Sequence, residues 1–567
     1  MKKSLLFIIV AVAILLVGGG VFAALYFGSP KAEKSVAKSD AKFVLEDDMV
    51  FYINVDQLVQ KSAINDVLTD GNRSLLATMI TADAYDRSLT DYVETLLADL
   101  NNTGINTKYP ISCYVNLDTV DGNDEVGELT LIAEVADANK VDAFFEFTTD
   151  ALGADVEIVR DGDMRYIDMY DFAIAYNNSR FVVVAYTYYD SMTNCDKLIE
   201  EAMARPKVDW SAYAKYDVAY TMQLKPLLDM RRANIQCNID ETYEYLELYA
   251  DEWEIEWIEE AIESGESDLE RINNIASLMD RDASITLGLT FESGRVVLDG
   301  RVEGITSEYT IGTKVSNDHL AYVGNDVIAL LNMGVNGEQV SEILMDNITP
   351  EYADMFGLIR NDFNIYFGVL CDAIKSIDGD VTVALYDIYG SSYYGVSSVD
   401  AMLAFNVKDD YIISNVAQFG EGTLRKMGDN LFSYNYNGNS FMIGQQENCL
   451  FATLNSNFKT QSNPVSKSAW VKDVADSYAY LVVDMDNLMD NSYISSLYRA
   501  ELRNMDQVGA SYLDDFVESC DYAYVTVDSP TSAQMVLVFD DKHTNSLEHI
   551  VRHVMPIVIR EATSQMF

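Results

Sequence analysis

Two histidines, His549 and His553, stand four residues apart in SLEHIVRHVMPIV. That spacing puts both imidazoles on one face of a helix, where such a pair can hold a metal ion. The third ligand is not evident, and Glu548 precedes the pair instead of following its first member as in H-E-x-x-H. Arg552 beside them opposes a cation, so the pair reads as part of an ordinary helix face. His543, in DDKHTNS, reads as loop at a helix start. Asp118-Thr-Val-Asp121-Gly-Asn-Asp124-Glu125 is rich in oxygen ligands but lacks the alternation of a calcium loop, and reads as an acidic hairpin loop. The chain carries 90 Asp and Glu residues, so a carboxylate pair for glycoside hydrolysis could exist, yet abundance makes any particular pair unspecific. There is no G-x-S-x-G elbow and no glycine-rich phosphate loop; Gly18-Gly19-Gly20 lies inside an apolar run. Residue types and spacing therefore single out no catalytic, cofactor-binding or metal-ligating residue, and they call for no cofactor.

Other polar residues have structural readings. Asp56 and Asp486 each follow a strand-like segment and read as helix caps, since a carboxylate can accept from the free N–H groups of a first turn. The cysteines Cys113, Cys195, Cys237, Cys371, Cys449 and Cys520 lie far apart without a C-x-x-C. That spacing is poor for a zinc module and suits isolated small apolar residues, with disulfides open to an exported chain. Asn101-Asn102-Thr103 fits a glycosylation acceptor, a pattern frequent by chance. Tyrosine is abundant, 36 against 4 Trp, in clusters such as Tyr186–Asp190, Tyr389–Gly395 and Phe432–Phe441. These read as half-buried sheet faces, or, where exposed, as recognition surfaces for peptides or sugars.

The elements that position these residues recur along the chain. A strand pattern followed by a short helical one opens four segments, Val50–Ser62, Val218–Asp229, Val327–Val340 and Ala479–Ser492. Further matches keep their order: Tyr92–Leu100 with Tyr366–Ile374, Leu131–Asp137 with Leu403–Asp409 at an offset of 272, and Phe172–Tyr186 with Phe441–Asn455 at 269. The opening motif aligns Asn54 with Asn332, an offset of 278. The expected fold is α+β: two related halves, 43–315 and 316–567, each of tandem modules with an antiparallel sheet covered on one face by helices. One segment breaks the pattern. Between Asp240 and Glu270 there are fourteen acidic residues and no Lys or Arg, while Ile239, Tyr243, Leu246, Ala250, Trp253, Trp257 and Ala261 recur at helical spacing. The spacing predicts one long amphipathic helix with a solvated acidic face, which could also dock a basic partner or hold a divalent cation loosely.

The start of the chain gives a location. Met1-Lys2-Lys3 precedes an uncharged apolar run, Leu5–Phe27, long enough as a helix to cross a bilayer core of about 30 Å. An uncleaved N-terminal transmembrane anchor over residues 1–27 is the favoured reading and a cleaved signal sequence the alternative. Residues 28–42 read as a polar tether. The basic start favours a cytoplasmic N-terminus, with the bulk of the chain on the periplasmic side of the cell envelope. Lys31, Lys34, Lys38 and Lys42, just beyond the span, weaken the lysine argument for that orientation.

The whole chain of 567 residues is 49% hydrophobic and 23% charged, which are globular values. With 39 basic against 90 acidic residues the net charge is −51, which repels polyphosphate and argues against nucleic acid as a partner. The segments Phe51–Leu68 (FYINVDQLVQKSAINDVL), Asp91–Ile105 and Leu131–Phe145 resemble a family of unknown function, family 4836, of exported Bacteroidota cell-envelope proteins. The resemblance covers roughly Phe43 to the C-terminus. It implies an exported, membrane-attached protein and carries no catalytic residues across. Members are often lipoproteins, and the lack of a cysteine before Cys113 departs from that. The expected function is a non-catalytic binding or interaction module, held to the membrane through Leu5 to Phe27, with a protein, glycan or lipid ligand in the envelope. A carboxylate-dependent hydrolase and a carrier of an apolar ligand are the alternatives.

Overall fold

The computed structural model describes residues 48–564, apart from 82–86, 121–122, 153–157, 169–171, 187–194, 249–254, 278, 306–311, 348–359, 392–394, 420–422, 437, 457 and 504–506. The apolar run Leu5–Phe27 and the tether 28–42 lie outside the described residues. Among the described residues no helix is long and apolar enough to cross a membrane. The architecture is α+β, and it divides into two compact units. The first holds described residues 48–306 together with 542–564, and the second 307–541.

In the first unit the strands are β1 (Met49–Ile53), β2 (Ile111–Val120), β3 (Asn123–Glu134), β4 (Val159–Asp161), β5 (Met164–Asp168), β6 (Phe172–Tyr176), β7 (Arg180–Tyr186), β8 (Val218–Gln223), β9 (Met279–Glu292) and β10 (Arg295–Ile305). They pair antiparallel in the order β4-β5-β6-β7-β3-β2-β1-β8-β9-β10. The second unit has β11 (Gly312–Thr313), β12 (Ala329–Asn336), β13 (Ile377–Ser391), β14 (Gly395–Val407), β15 (Arg425–Gly428), β16 (Leu431–Tyr436), β17 (Asn439–Gln446), β18 (Cys449–Leu454), β19 (Ala479–Asp484), β20 (Cys520–Ser529) and β21 (Ser532–Phe539). Its order is β15-β16-β17-β18-β14-β13-β12-β19-β20-β21, with β11 added beside β12. Strand for strand, the two orders are the same. Side chains alternate across each sheet: Val50 and Tyr52 of β1, and Leu330 and Asn332 of β12, point into the buried face.

The ladders fix which residues occupy equivalent places. Ile132 faces Ser112 and Val182, as Ala404 faces Thr382 and Phe451. Ile132 and Ala404 are 272 positions apart, and Val182 and Phe451 are 269 apart. On the opening strand, Tyr52 faces Ser112 and Ala219, as Asn332 faces Thr382 and Tyr480. The equivalent of Asn332 is therefore Tyr52, not Asn54. Matching on the shared asparagine slides that alignment by two residues, which keeps the same face and so escapes the alternation pattern.

The helix caps also differ from the sequence reading. Asn54 Oδ1 accepts from Gln57 N at the start of the helix Val55–Ser62, and Asp484 Oδ1 accepts from Asn487 N at the start of Met485–Asp490. Asp56 and Asp486 sit two residues further on, as first-turn acids; Asp56 accepts from Gln60 Nε2. Burial raises the pKa of Asp486, and the acids Asp540, Asp521 and Asp490 push it the same way.

The acidic segment forms two helices, Leu224–Leu248 and Ile255–Ser277, packed against one another. A Cβ on Gly265 would meet Ile239 Cγ1 at 2.8 Å, so the missing side chain lets the arms approach closely. Each arm buries its own face: Ile258 and Ile262 are buried, whereas Trp257 is 51% exposed. The helical period survives because folding back preserves it within each arm. The helix Ser546–Ser564 completes the first unit by packing on Val55–Ser62 and Asp70–Ile80. Asn545 anchors it, accepting from Leu547 N and donating to Phe291 O.

Replacing the caps tests this assignment. Asn54→Ala and Asp484→Ala should each cost about 1 kcal/mol in denaturant unfolding. Asp56→Ala, which removes only an exposed contact, should stay within about 0.5 kcal/mol.

Candidate functional site

The second unit buries a polar rung where the first buries rings. Thr382, Asn332 and Tyr480 lie side by side on β13, β12 and β19, facing inward. The Thr382 hydroxyl donates to Asn332 Oδ1 at 2.9 Å. Asn332 Nδ2 lies 3.3 Å from Asp380 Oδ2 and 3.4 Å from the Tyr480 hydroxyl. That hydroxyl donates to Asn317 Oδ1 at 2.7 Å. Asp380, fully buried, accepts from Ser316 N at 2.7 Å and Asn317 N at 2.6 Å. The carboxylate thus holds the turn at 316–317 against the sheet, with Asn317 in the left-handed region at φ 64°. Burial raises the pKa of the Tyr480 phenol.

His319 follows that turn and is 1% exposed. Its Nδ1 lies 2.8 Å from Thr382 Oγ1. Because Thr382 spends its hydrogen on Asn332, Nδ1 must carry the imidazole hydrogen, which leaves Nε2 as a bare acceptor. Nε2 is buried with no partner at hydrogen-bond geometry; the Asn406 side chain is the polar group beside it. Burial lowers the His319 pKa, against the opposing pull of Asp380, Asn406 and Asp318.

A break in the ladder gives this cluster an outlet. Between Ile377 and Val381 the register of β13 against β14 shifts, with Ile377 opposite Val407 and Val381 opposite Phe405. Such bulges re-aim side chains. Here Asp380 turns into the core while Asp378 is exposed. Gly379 between them has φ +115°, and a Cβ there would meet Asn406 Nδ2 at 3.0 Å. A cleft of about 280 Å³ opens at this point, lined by Asp318, Asp378, Asn406, Val407, Lys408 and Asn448. Lys408 Nζ lies 3.9 Å from Asp378 Oδ2 and 3.9 Å from Glu338 Oε2.

A family model described as a domain of unknown function (DUF4836) matches residues 43–547. The chain belongs to that family. No curated protein matches it, and no solved structure does. The DUF4836 match takes in both sheets and the whole of the cleft.

In this DUF4836 chain the residues singled out in the sequence are dispersed. His549 and His553 share a helix face with ring centroids 4.4 Å apart, and His553 Nδ1 contacts the His549 carbonyl. Arg552 pairs with Glu548. Among the described residues no three His, Cys, Asp or Glu side chains group as metal ligands. Asp118 and Thr119 face Glu125 and Asp124 across the β2–β3 hairpin, whose turn at 121–122 lies outside the described residues. Asn101 donates to Asp99 in a short 3-10 turn. Cys113, Cys371, Cys449 and Cys520 are free thiols, with Cys371 and Cys520 buried; Cys237 Sγ donates to Glu241 Oε1, and the side chain of Cys195 is outside the described set. Most of Tyr186–Asp190 is also outside it. Tyr389 is exposed and donates to Asp400. Sequence reasoning missed the cluster of Asn332, Asp380, His319 and Asn406. Its one signal was an amide at an inward position of an apolar strand, in ALLNMGVN.

The first unit holds a different buried acid. Asp217, fully buried, receives Lys61 Nζ and Phe291 N, each at 2.7 Å, on Oδ2. It clamps the helix Val55–Ser62 to β9.

Two outcomes follow for the second unit. Asp380→Ala strands two backbone N–H groups and the Asn332 amide, and should cost about 3 kcal/mol or more by chemical unfolding. His319 has a depressed folded pKa, so below about pH 6.5 the unfolded chain takes up its proton first and stability falls with pH, by at most about 1.4 kcal/mol per pH unit for this group. Amide exchange on β12 and β13 should accelerate between pH 7 and pH 5, after correction for intrinsic rates, more in the wild type than in His319→Asn. Equal acceleration would refute that role.

Proposed function

We propose that this chain is a membrane-anchored, extracytoplasmic envelope protein that acts by binding, and that its halves, 43–315 and 316–567, arose by duplication of one α+β module. The single observation behind binding is the state of the buried polar groups beneath the cleft. Asp380 spends both oxygens on backbone N–H groups, and His319 is sealed from solvent. A general acid or base must reach the substrate's proton, whereas groups locked by one another give a rigid, preorganised floor. The polar lining of the cleft does not favour an apolar cargo. Duplication is supported by the common strand order and by the ladder-equivalent residues at offsets of 272 and 269. Anchoring rests on the lysine-preceded apolar run Leu5–Phe27 and the polar tether after it.

Fractionation with protease protection tests the location. The full chain should pellet with membranes, resist salt extraction, and be digested by protease added to spheroplasts with an intact inner membrane. Deleting residues 1–42 should leave it in the cytosol. Recovery of the intact full-length chain in the soluble cytosol would overturn this reading.

A further inference from the structure

We propose that the cleft at the β13 bulge binds a neutral, hydroxyl-rich ligand the size of one monosaccharide, free or as the end unit of a glycan. This gives a place and a chemistry to the binding reading above. Drug-sized ligands occupy clefts of roughly 300–1,000 Å³, so about 280 Å³ suits a smaller molecule. The lining selects its type. Asp318 and Asp378 offer four acceptor oxygens, Lys408 offers an ammonium donor, and the amides of Asn406 and Asn448 offer both. An anion would meet two carboxylates, and a cation would meet Lys408. A hydroxyl both donates and accepts, so neighbouring hydroxyls can bridge a carboxylate and an ammonium without bringing net charge.

The second observation is His319. Its buried Nε2 has no partner at hydrogen-bond geometry, and Asn406, which lines the cleft, interacts with the imidazole. A ligand that hydrogen-bonds Asn406 from the cleft fixes that amide against the buried imidazole. Gly379 leaves the room in which Asn406 stands. In the first unit, counting back from Ser112, the counterpart of Thr382, puts Tyr109 and Pro110, which precede β2, where the second unit has Gly379 and Asp380.

The test uses the purified full chain, so its result does not depend on where the protein resides. Glucose, galactose, mannose, N-acetylglucosamine and their methyl glycosides are screened by saturation-transfer NMR and calorimetry, with putrescine and acetate as charged probes. At least one neutral sugar should bind. Asp378→Asn and Asn448→Ala, both at exposed positions and checked by circular dichroism, should each weaken it at least about tenfold. Methyl glycosides binding as well as free sugars would identify the end of a glycan as the ligand; loss on methylation would identify the free sugar. No sugar binding, binding of a charged probe alone, or sugar binding unchanged in both variants would overturn the proposal.

Discussion

A carboxylate sunk in a sheet has to be satisfied, and much of the second unit follows from how Asp380 is. An ionised group taken from water into an apolar interior is tolerated only with close hydrogen-bond partners. Here they are the N–H groups of Ser316 and Asn317, so the chain before β12 must cross the sheet at that height. Crossing there forces Asn317 into a left-handed conformation, which asparagine accepts more readily than most residues. The turn then carries His319 onto Thr382 and aligns the Asn317 amide with Tyr480. One acid thereby orders a loop, a histidine and a tyrosine beside a shift in the β13–β14 register.

The first unit solves the same geometric problem with rings. Tyr52, at the place of Asn332, packs against Trp210 at 5.3 Å and Tyr213 at 5.7 Å between ring centroids. Its neighbour is Ala219, where the second unit has Tyr480. In effect a tyrosine sits on the central strand in one unit and on the adjacent strand in the other. Moving the ring sideways opens a place for an amide, and a buried amide demands further polar partners. The first unit keeps its polar linkage elsewhere, through a hydroxyl chain from Tyr213 to Thr221 to Thr286 and the Lys61–Asp217 pair.

What was legible in the sequence was what alternation and periodicity encode. Strand grammar gave an α+β class, and apolar segments such as Leu131–Asp137 and Leu403–Asp409 fall on equivalent strands of the two sheets. What was not legible depended on partners distant in the chain. A cap depends on which residue first leaves the strand, and both caps fell two residues before the expected acids because the helices begin earlier. A helical hairpin and a single long helix share one period, so periodicity cannot tell them apart; Gly265 against Ile239 is a tertiary signal. His319 and Asp380 lie 61 positions apart, in segments with no unusual composition, and only the sheet brings them together.

The cleft illustrates why sites escape such reading. A regular antiparallel pair satisfies its own backbone and presents an even row of side chains. Here the pairing of β13 with β12 runs unbroken through 378–380, while its pairing with β14 skips from Ile377 to Val381. Asp378 and Asp380 are both acids two positions apart, which in an unbroken strand would place them on one face. They do share that face, but Asp378, at the end of β13, lies exposed while Asp380 is buried and anchors the interior. Counting carboxylates treats the two alike, although one of them holds the turn that fixes His319 and the other lies exposed near Lys408. The chemistry of this unit is set less by which acids it contains than by where along the strand each one falls.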